Sequence, residues 1–328
     1  MGYGKWDDNA YQAAKTFRAA KGIADFGYTA ATKGKRPSSW KAAPSLDPLG
    51  VVARECRDSP DHADSTPIAV LFDVTGSMGS VPRIMQGKLG KLHGLLRRRG
   101  YLADPQLMFG GIGDADSDRV PLQVGQFESD NRMDDQLRDI FLEGNGGGQM
   151  SESYELAAYF MARHVVTDAW QKRGRKGYLF LIGDELNKPR LAARHIRRVI
   201  GDDIDQDIDP VSVYRELARK WNVYFILPNQ SSHYDNETVD EHWRQILGQN
   251  FLKLDDPGAV CELIAATIGV QERVVDLDQA LVDLADVGSV AESRAVGKAL
   301  VSVGASAKSP ARSATPLGID GPDDVALS

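Results

Sequence analysis

One stretch of the chain carries residue types that can do coordination chemistry. Asp73-Val74-Thr75-Gly76-Ser77-Met78-Gly79 directly follows the apolar run Ile68-Ala69-Val70-Leu71-Phe72. A carboxylate and two hydroxyls at alternate positions are hard oxygen donors of the kind that suits Mg²⁺, Mn²⁺ or Ca²⁺. Gly76 and Gly79 let such a turn approach an ion closely. Adjacent residues rarely surround a cation, so further oxygens must come from other loops. In a parallel sheet the carboxyl ends of all strands share one edge. Asp184, after the apolar run Tyr178-Leu179-Phe180-Leu181-Ile182, therefore reaches the same pocket. A third contribution is expected from the glycine-rich loop that ends in Gln149-Met150-Ser151-Glu152-Ser153, where a helix begins.

The elements that position these residues are read from periodicity. Strands are expected at 68–72, 106–112, 120–127, 178–182, 221–227 and 251–254, and helices at 81–98, 132–142, 152–170, 190–199, 211–220, 239–247 and 257–267. Thr238 with Glu241 stands at capping-box spacing, and Asp256-Pro257 reads as a cap followed by the first helical position. Too few residues separate the second and third strands for a helical crossover, so those two must be antiparallel. The fold class is α/β: an open, mostly parallel six-stranded sheet with one antiparallel edge strand and helices on both faces. Residues 1–65 form an accessory arm with a short helix, laid on the main domain through Trp6, Phe17, Phe26, Tyr28 and Trp40. Residues 66–270 form the α/β domain, 271–302 a helical extension, and 303–328, rich in small and polar residues, a disordered tail. Asp114, Asp116 and Asp118 read as a solvated hairpin loop, and His93 as solvent-facing or paired with a neighbour.

Asp73-x-Thr75-x-Ser77 resembles the metal-ion-dependent adhesion site of the von Willebrand factor type A (VWA) family, with Thr in place of the commoner first Ser. The resemblance covers about residues 66–270 and points to an intracellular, bacterial-type member. It implies a Thr in the glycine-rich loop and an Asp after the fourth strand. Asp184 matches that Asp. No Thr stands in the loop: Gln149 matches if the paired glycines set the register, Ser153 if Ala157-Ala158 does, and Glu152 supplies a carboxylate in either case. The resemblance further implies a magnesium-loaded, protein-binding module. A partner's Asp or Glu carboxylate completes the cation's shell, and adaptor or complex-assembly work beside an AAA-type ATPase is expected.

Composition narrows the alternatives. A net charge of -7, from 46 acidic against 39 basic side chains, argues against a nucleic-acid surface, although Arg97-Arg98-Arg99 and Lys172-Arg173-Gly174-Arg175-Lys176 are local basic clusters. No apolar run reaches membrane-spanning length, and MGYGKWDDNAYQ lacks the basic-then-apolar order of a secretory signal, so a cytoplasmic protein is expected. Cys56 and Cys261 read as isolated thiols. Phosphate-binding loop, nucleophile elbow and zinc motifs are absent, and only His233 of the six histidines falls in a loop near the sheet's carboxyl edge. A non-catalytic module is expected; the alternatives are metal-assisted phosphoester hydrolysis and, resting on the two basic clusters, a nucleic-acid-associated role.

Overall fold

A computed structural model describes residues 4–24, 26–89, 92–144, 148–287 and 290–307. The apolar runs become β1 (Ser65–Asp73), β2 (Asp104–Ile112), β3 (Leu122–Val124), β4 (Gly177–Ile182), β5 (Trp221–Pro228) and β6 (Phe251–Leu254). They form one six-stranded sheet in the order β6-β5-β4-β1-β2-β3. All neighbours are parallel except β2 and β3, which pair antiparallel with Gly110 opposite Val124. The expected α/β architecture is thus the observed one.

On β1, Ile68, Val70 and Phe72 enter one hydrophobic core while Ala69 and Leu71 enter the other. Burial on both faces explains why the strand reads as a continuous apolar run. Helices Val81–Leu89, Leu92–Arg98 and Val260–Gln271 contribute to the first core; Tyr154–Arg163, Pro210–Lys220 and Glu237–Leu247 contribute to the second. After β3 the chain returns to the opposite side of β1. The switch point of the topology therefore lies between the carboxyl ends of β1 and β4, where open α/β sheets place their ligand crevice.

Several local expectations are corrected. The helix expected at 152–170 is three elements: helix Tyr154–Arg163, strand Val165–Thr167 and helix Asp168–Arg173. The β-branched Val165-Val166-Thr167 pairs in parallel with Arg54–Cys56 of the arm, a partner too distant in sequence for periodicity to reveal. Helix Glu237–Leu247 is capped by Asn236, which accepts from the Thr238 amide (3.0 Å), rather than by Thr238. Asp256 caps as expected, accepting from the Gly258 amide at 2.9 Å. The extension is two helices, Leu277–Val287 and Val290–Ala307. Residues 303–307 are therefore helical, and the rest of the expected tail, 308–328, lies outside the described residues. His93 is buried, tilted against Trp6 with ring centroids 6.1 Å apart, and burial lowers its pKa to about 4.

The arm is fixed by polar latches. Asn131 grips the Asp7 backbone with two hydrogen bonds of 2.9 Å, and Asp7 caps helix Asp8–Ala20. Ser129 Oγ donates to the Gly4 carbonyl (2.6 Å), and His62, 3.3 Å from Asp104, lies 2.9 Å from the same oxygen. Ser129, His62 and Asp104 have the composition of a hydrolytic triad, but Ser129 and His62 are buried and hold the arm. Phe26 is buried, and Trp6, Tyr28 and Trp40 pack as expected, while Phe17 is 59% exposed and does not. Thr29 makes the most consequential contact. Its hydroxyl donates to the Ile140 carbonyl (3.0 Å) and accepts from the Leu142 amide (2.9 Å), both buried, which fixes the segment leading into the glycine-rich loop.

Thr29→Val keeps the shape and strands both backbone groups, so it should destabilise the chain by about 1–3 kcal/mol. Urea unfolding should show that loss, with faster hydrogen exchange at the Leu142 amide. An unchanged midpoint would refute the role of the contact.

Candidate functional site

Asp73 closes β1 and is fully buried. Its Oδ1 accepts from the Thr75 amide (2.8 Å) and the Thr75 hydroxyl (2.6 Å), and its Oδ2 accepts from the Tyr154 hydroxyl (2.9 Å). Ser77 donates to Asp184 Oδ1 at 2.7 Å, and the His233 amide donates to Asp184 Oδ2 at 3.2 Å. The Thr75 and Ser77 hydroxyls approach to 3.2 Å. With both protons directed at carboxylates, two oxygens with free lone pairs face each other across that gap.

Local backbone demands explain the arrangement. Gly183 precedes Asp184, and a Cβ there would collide with the Tyr154 hydroxyl, so only glycine lets that hydroxyl reach Asp73. Gly79 ends the turn with φ +53°, where a side chain is strained. Tyr154 stands at the start of its helix with its ring edge-on to Trp243 (5.4 Å, 83°).

Glu152 and Glu185 complete the cluster. Both are buried, and Oε2 of each has no hydrogen-bond partner. The short parallel ladder of Ser151–Glu152 with Leu186–Asn187 draws their two loops together. Burial, reinforced by the Asp184 charge, raises the Asp73 carboxyl to about 7. Burial, then Asp73 and Asp184, raises Glu185 to about 8; burial, then Asp73 and Glu185, raises Glu152 to about 11. Asp184 is raised by burial as well. Desolvation and mutual repulsion act together here, and the acids titrate as one coupled set.

Asp73, Thr75, Ser77 and Asp184 are thus brought together, and Glu152 adjoins them through its charge. Ser153 is directed elsewhere: its hydroxyl accepts from the Ala115 amide (2.9 Å) and ties down the acidic loop. Gln149 is exposed. Glu185 and Tyr154 were not legible as site residues. Glu185 adjoins Asp184, but nothing in the sequence shows that an aromatic hydroxyl is aimed at Asp73. His233 does lie at this edge, with Nε2 3.8 Å from Glu185 Oε1.

Two expectations are corrected here. Among the described residues no three His, Cys, Asp or Glu side chains are placed to hold a metal ion. The adhesion-type metal centre that would make this a metal-binding, magnesium protein is therefore not what the geometry displays. The turn instead closes its hydroxyls onto Asp73 and Asp184 as hydrogen-bond donors. The donor chemistry itself, hydroxyls beside carboxylates with two free oxygens, suits a hard cation. Second, the acidic loop is not solvated: Asp114 and Asp118 are buried, and Lys188 Nζ lies 2.7 Å from Asp114 and 3.6 Å from Asp116. Arg194 (2.7 Å) and His195 (3.1 Å) also meet Asp116. Much of the basic clusters is engaged in ion pairs: Arg173 with Asp58 and Asp64, Arg175 with Asp64 and Glu272, and Arg99 with Asp283.

No family model matches the chain, and no curated protein matches it. Among solved structures it is similar to the pilus adhesin SpaC from Lactobacillus rhamnosus GG, at 9% identity, a TM-score of 0.45, and coverage of 65% of this chain and 31% of that one. It is also similar to proximal thread matrix protein 1 of the mussel byssus (12% identity, TM-score 0.41, 65% and 49% coverage). A von Willebrand factor type A structure from Catenulispora acidiphila gives 11% identity, a TM-score of 0.40, and 71% and 52% coverage. The chain thus spans from about a third to about half of these proteins. At such values the likenesses carry no argument about function. The VWA-like fold rests on the sheet order and on where Asp73 and Asp184 stand in it. The cytoplasmic expectation is corrected: the similar structures are a pilus adhesin, a byssal matrix protein and a pilus tip protein, which are surface or extracellular proteins. That expectation had rested on how the sequence begins, which says nothing of location, and it is withdrawn. No helix among the described residues is long and apolar enough to cross a membrane.

Acids with raised folded pKa values stabilise the fold below their ordinary range, about pH 4, and lose that contribution as pH rises through the folded values. For Asp73 and Glu185 the loss begins at about pH 4 and is complete above about 7 and about 8. In chelator, the thermal midpoint should therefore fall from about pH 5 to about pH 9, and Glu185→Gln should flatten the fall. A profile unchanged by that substitution would contradict the coupling.

Proposed function

We propose that this chain is a non-catalytic protein-binding module whose recognition face is the carboxylate–hydroxyl cluster at the switch point, and that recognition depends on a divalent cation. The two unpartnered buried oxygens, Oε2 of Glu152 and of Glu185, carry this proposal. Beside Asp73 and Asp184 they form a group of buried acids that hold protons in the free chain and become negatively charged together only when a countercharge arrives. A bound cation supplies that balancing charge and an electrophilic position for a partner's oxygen. Asp73 and Asp184 with the Thr75 and Ser77 hydroxyls are the residues that would hold it, and Glu152 and Glu185 would balance its charge from beside them.

The partner that fits is a protein presenting an Asp or Glu carboxylate. Specificity falls to the surrounding loop. Residues 229–238 line a polar cleft of about 630 Å³. Ser232 of that loop donates to the Ser77 carbonyl through its amide and its hydroxyl (both 2.9 Å), which fixes the cleft to the cluster. A hydrolase at this position requires a basic clamp beside Asp73. Lys188, the buried lysine of the neighbouring loop, is paired with Asp114 instead. The suggested AAA-type ATPase partner belonged to the intracellular reading and is not carried further.

Capture of partners from the source organism on the immobilised chain should require a divalent cation and fail in EDTA. Asp73→Ala should weaken it upward of about thirtyfold, since truncating one side of a desolvated charge contact costs about 2–5 kcal/mol. The circular dichroism spectrum should keep its α/β shape, the loss of the three Asp73 hydrogen bonds disturbing the carboxyl edge and not the sheet beneath it. Equal recovery by Asp73→Ala would contradict the proposal.

A further inference from the structure

Helix Asp8–Ala20 of the arm gives little of its surface to the body. Tyr11 is its one buried residue. Arg18 pairs with Asp134 at 2.8 Å, and Asn131 holds the N-cap Asp7. Tyr11 and Arg18 are two turns apart and lie on one line of the helix. The remaining faces meet solvent. A helix of this length is marginal in water by itself, and in proteins such helices are stabilised by packing an apolar face. Yet Phe17 stands 59% exposed on this one, and Ile23, just beyond its end, 42% exposed.

Phe17 shares a flank with Ala10, Ala13 and Ala20, roughly a third of a turn away from the line of Tyr11 and Arg18. All four are exposed. The charges on this helix are ordered along its length, with Asp7 and Asp8 at its start and Lys15 and Lys21 towards its end. Asp7 accepts from the Asn9 and Ala10 amides, and among the described residues neither Asp7 nor Lys21 joins an ion pair.

We propose that this flank is a twofold interface, which seats the same helix of a second copy of the chain in antiparallel orientation. The order of charges selects that occupant. Reversal of direction sets Asp7 of one copy opposite Lys21 of the other, twice about the axis, whereas a parallel pair would set like charges together. The same reversal lays Phe17 of each copy over Ala10 and Ala13 of the other, a large side chain in the notch left by small ones. The helix is about 20 Å long, so the interface is small and the dimer dissociates readily. Pairing leaves the cation cluster uncovered. The arm meets the sheet at its amino edge, where His62 touches both the Gly4 carbonyl and Asp104, the first residue of β2. The interface therefore stands or falls apart from the cation reading.

Sedimentation equilibrium of the full chain in chelator and at low ionic strength, where charge pairs are least screened, tests this. A reversible monomer–dimer equilibrium is expected, with Kd of roughly 10–100 µM. Phe17→Ser should weaken it about thirtyfold or more, because each dimer loses two covered aromatic rings. Asp7→Lys and Lys21→Glu should each weaken it about tenfold, since each sets like charges across both ends. An equimolar mixture of those two variants should associate more tightly than either alone, because only the mixed pair restores opposite charges at both ends. The cap lost in Asp7→Lys is lost in the mixture too, so the recovery reports the pairing. A chain that stays monomeric at millimolar concentration, a dimer indifferent to Phe17→Ser, or a mixture no more associated than its components would each overturn the proposal.

Discussion

The carboxyl edge of the sheet is organised around one buried carboxylate, Asp73. Three donors converge on it: the Thr75 amide, the Thr75 hydroxyl and the Tyr154 hydroxyl. Each fixes a different part of the molecule. The Thr75 bonds shape the turn that leads out of β1. The Tyr154 bond sets the start of helix Tyr154–Arg163, requires glycine at 183, and places the Tyr154 ring against Trp243 and Phe225. Burial of a carboxylate is tolerable only when its lone pairs are met, and here the fold meets them from two sides of the switch point.

Two acidic layers lie side by side at this edge, and their contrast is informative. Asp114 and Asp116 are answered by Lys188, Arg194 and His195. Asp73, Asp184, Glu152 and Glu185 have His233 near Glu185, at 3.8 Å, and otherwise backbone and hydroxyl donors. Desolvation and mutual repulsion, which Lys188 and His233 offset only in part, push these acids upward together. Ser153 joins the layers, since it caps no helix with its side chain and instead receives the Ala115 amide. The first layer is a structural ion-pair network. The second retains the chemistry of a binding site, and perturbed acids cluster at such sites more often than elsewhere.

Much of this was legible in the sequence because it is encoded locally. Six apolar runs, the short link between the second and third strands, and the Asp73 and Asp184 positions at strand ends yield the sheet and its crevice directly. What was not legible depends on distant partners. Val165–Thr167 becomes a strand only because Arg54–Cys56 reaches it. The acidic loop looks solvated until Lys188, some seventy residues away in sequence, is brought beneath it. His93 looks like a surface residue of an amphipathic helix until the arm lays Trp6 over it. Tyr154 and Glu185 required knowledge of which side chains the switch point aims inward. Location was not encoded in these features at all.

The central claim is that the second acidic layer holds protons in the free chain and yields them to a divalent cation. Calorimetric titration of metal-stripped protein with Mn²⁺ at about pH 7, repeated in buffers of different ionisation enthalpy, measures both events at once. The account predicts saturable binding with net release of about one proton or more, both lost in Asp73→Ala. Absence of binding, or binding that releases no proton and survives Asp73→Ala, would contradict it.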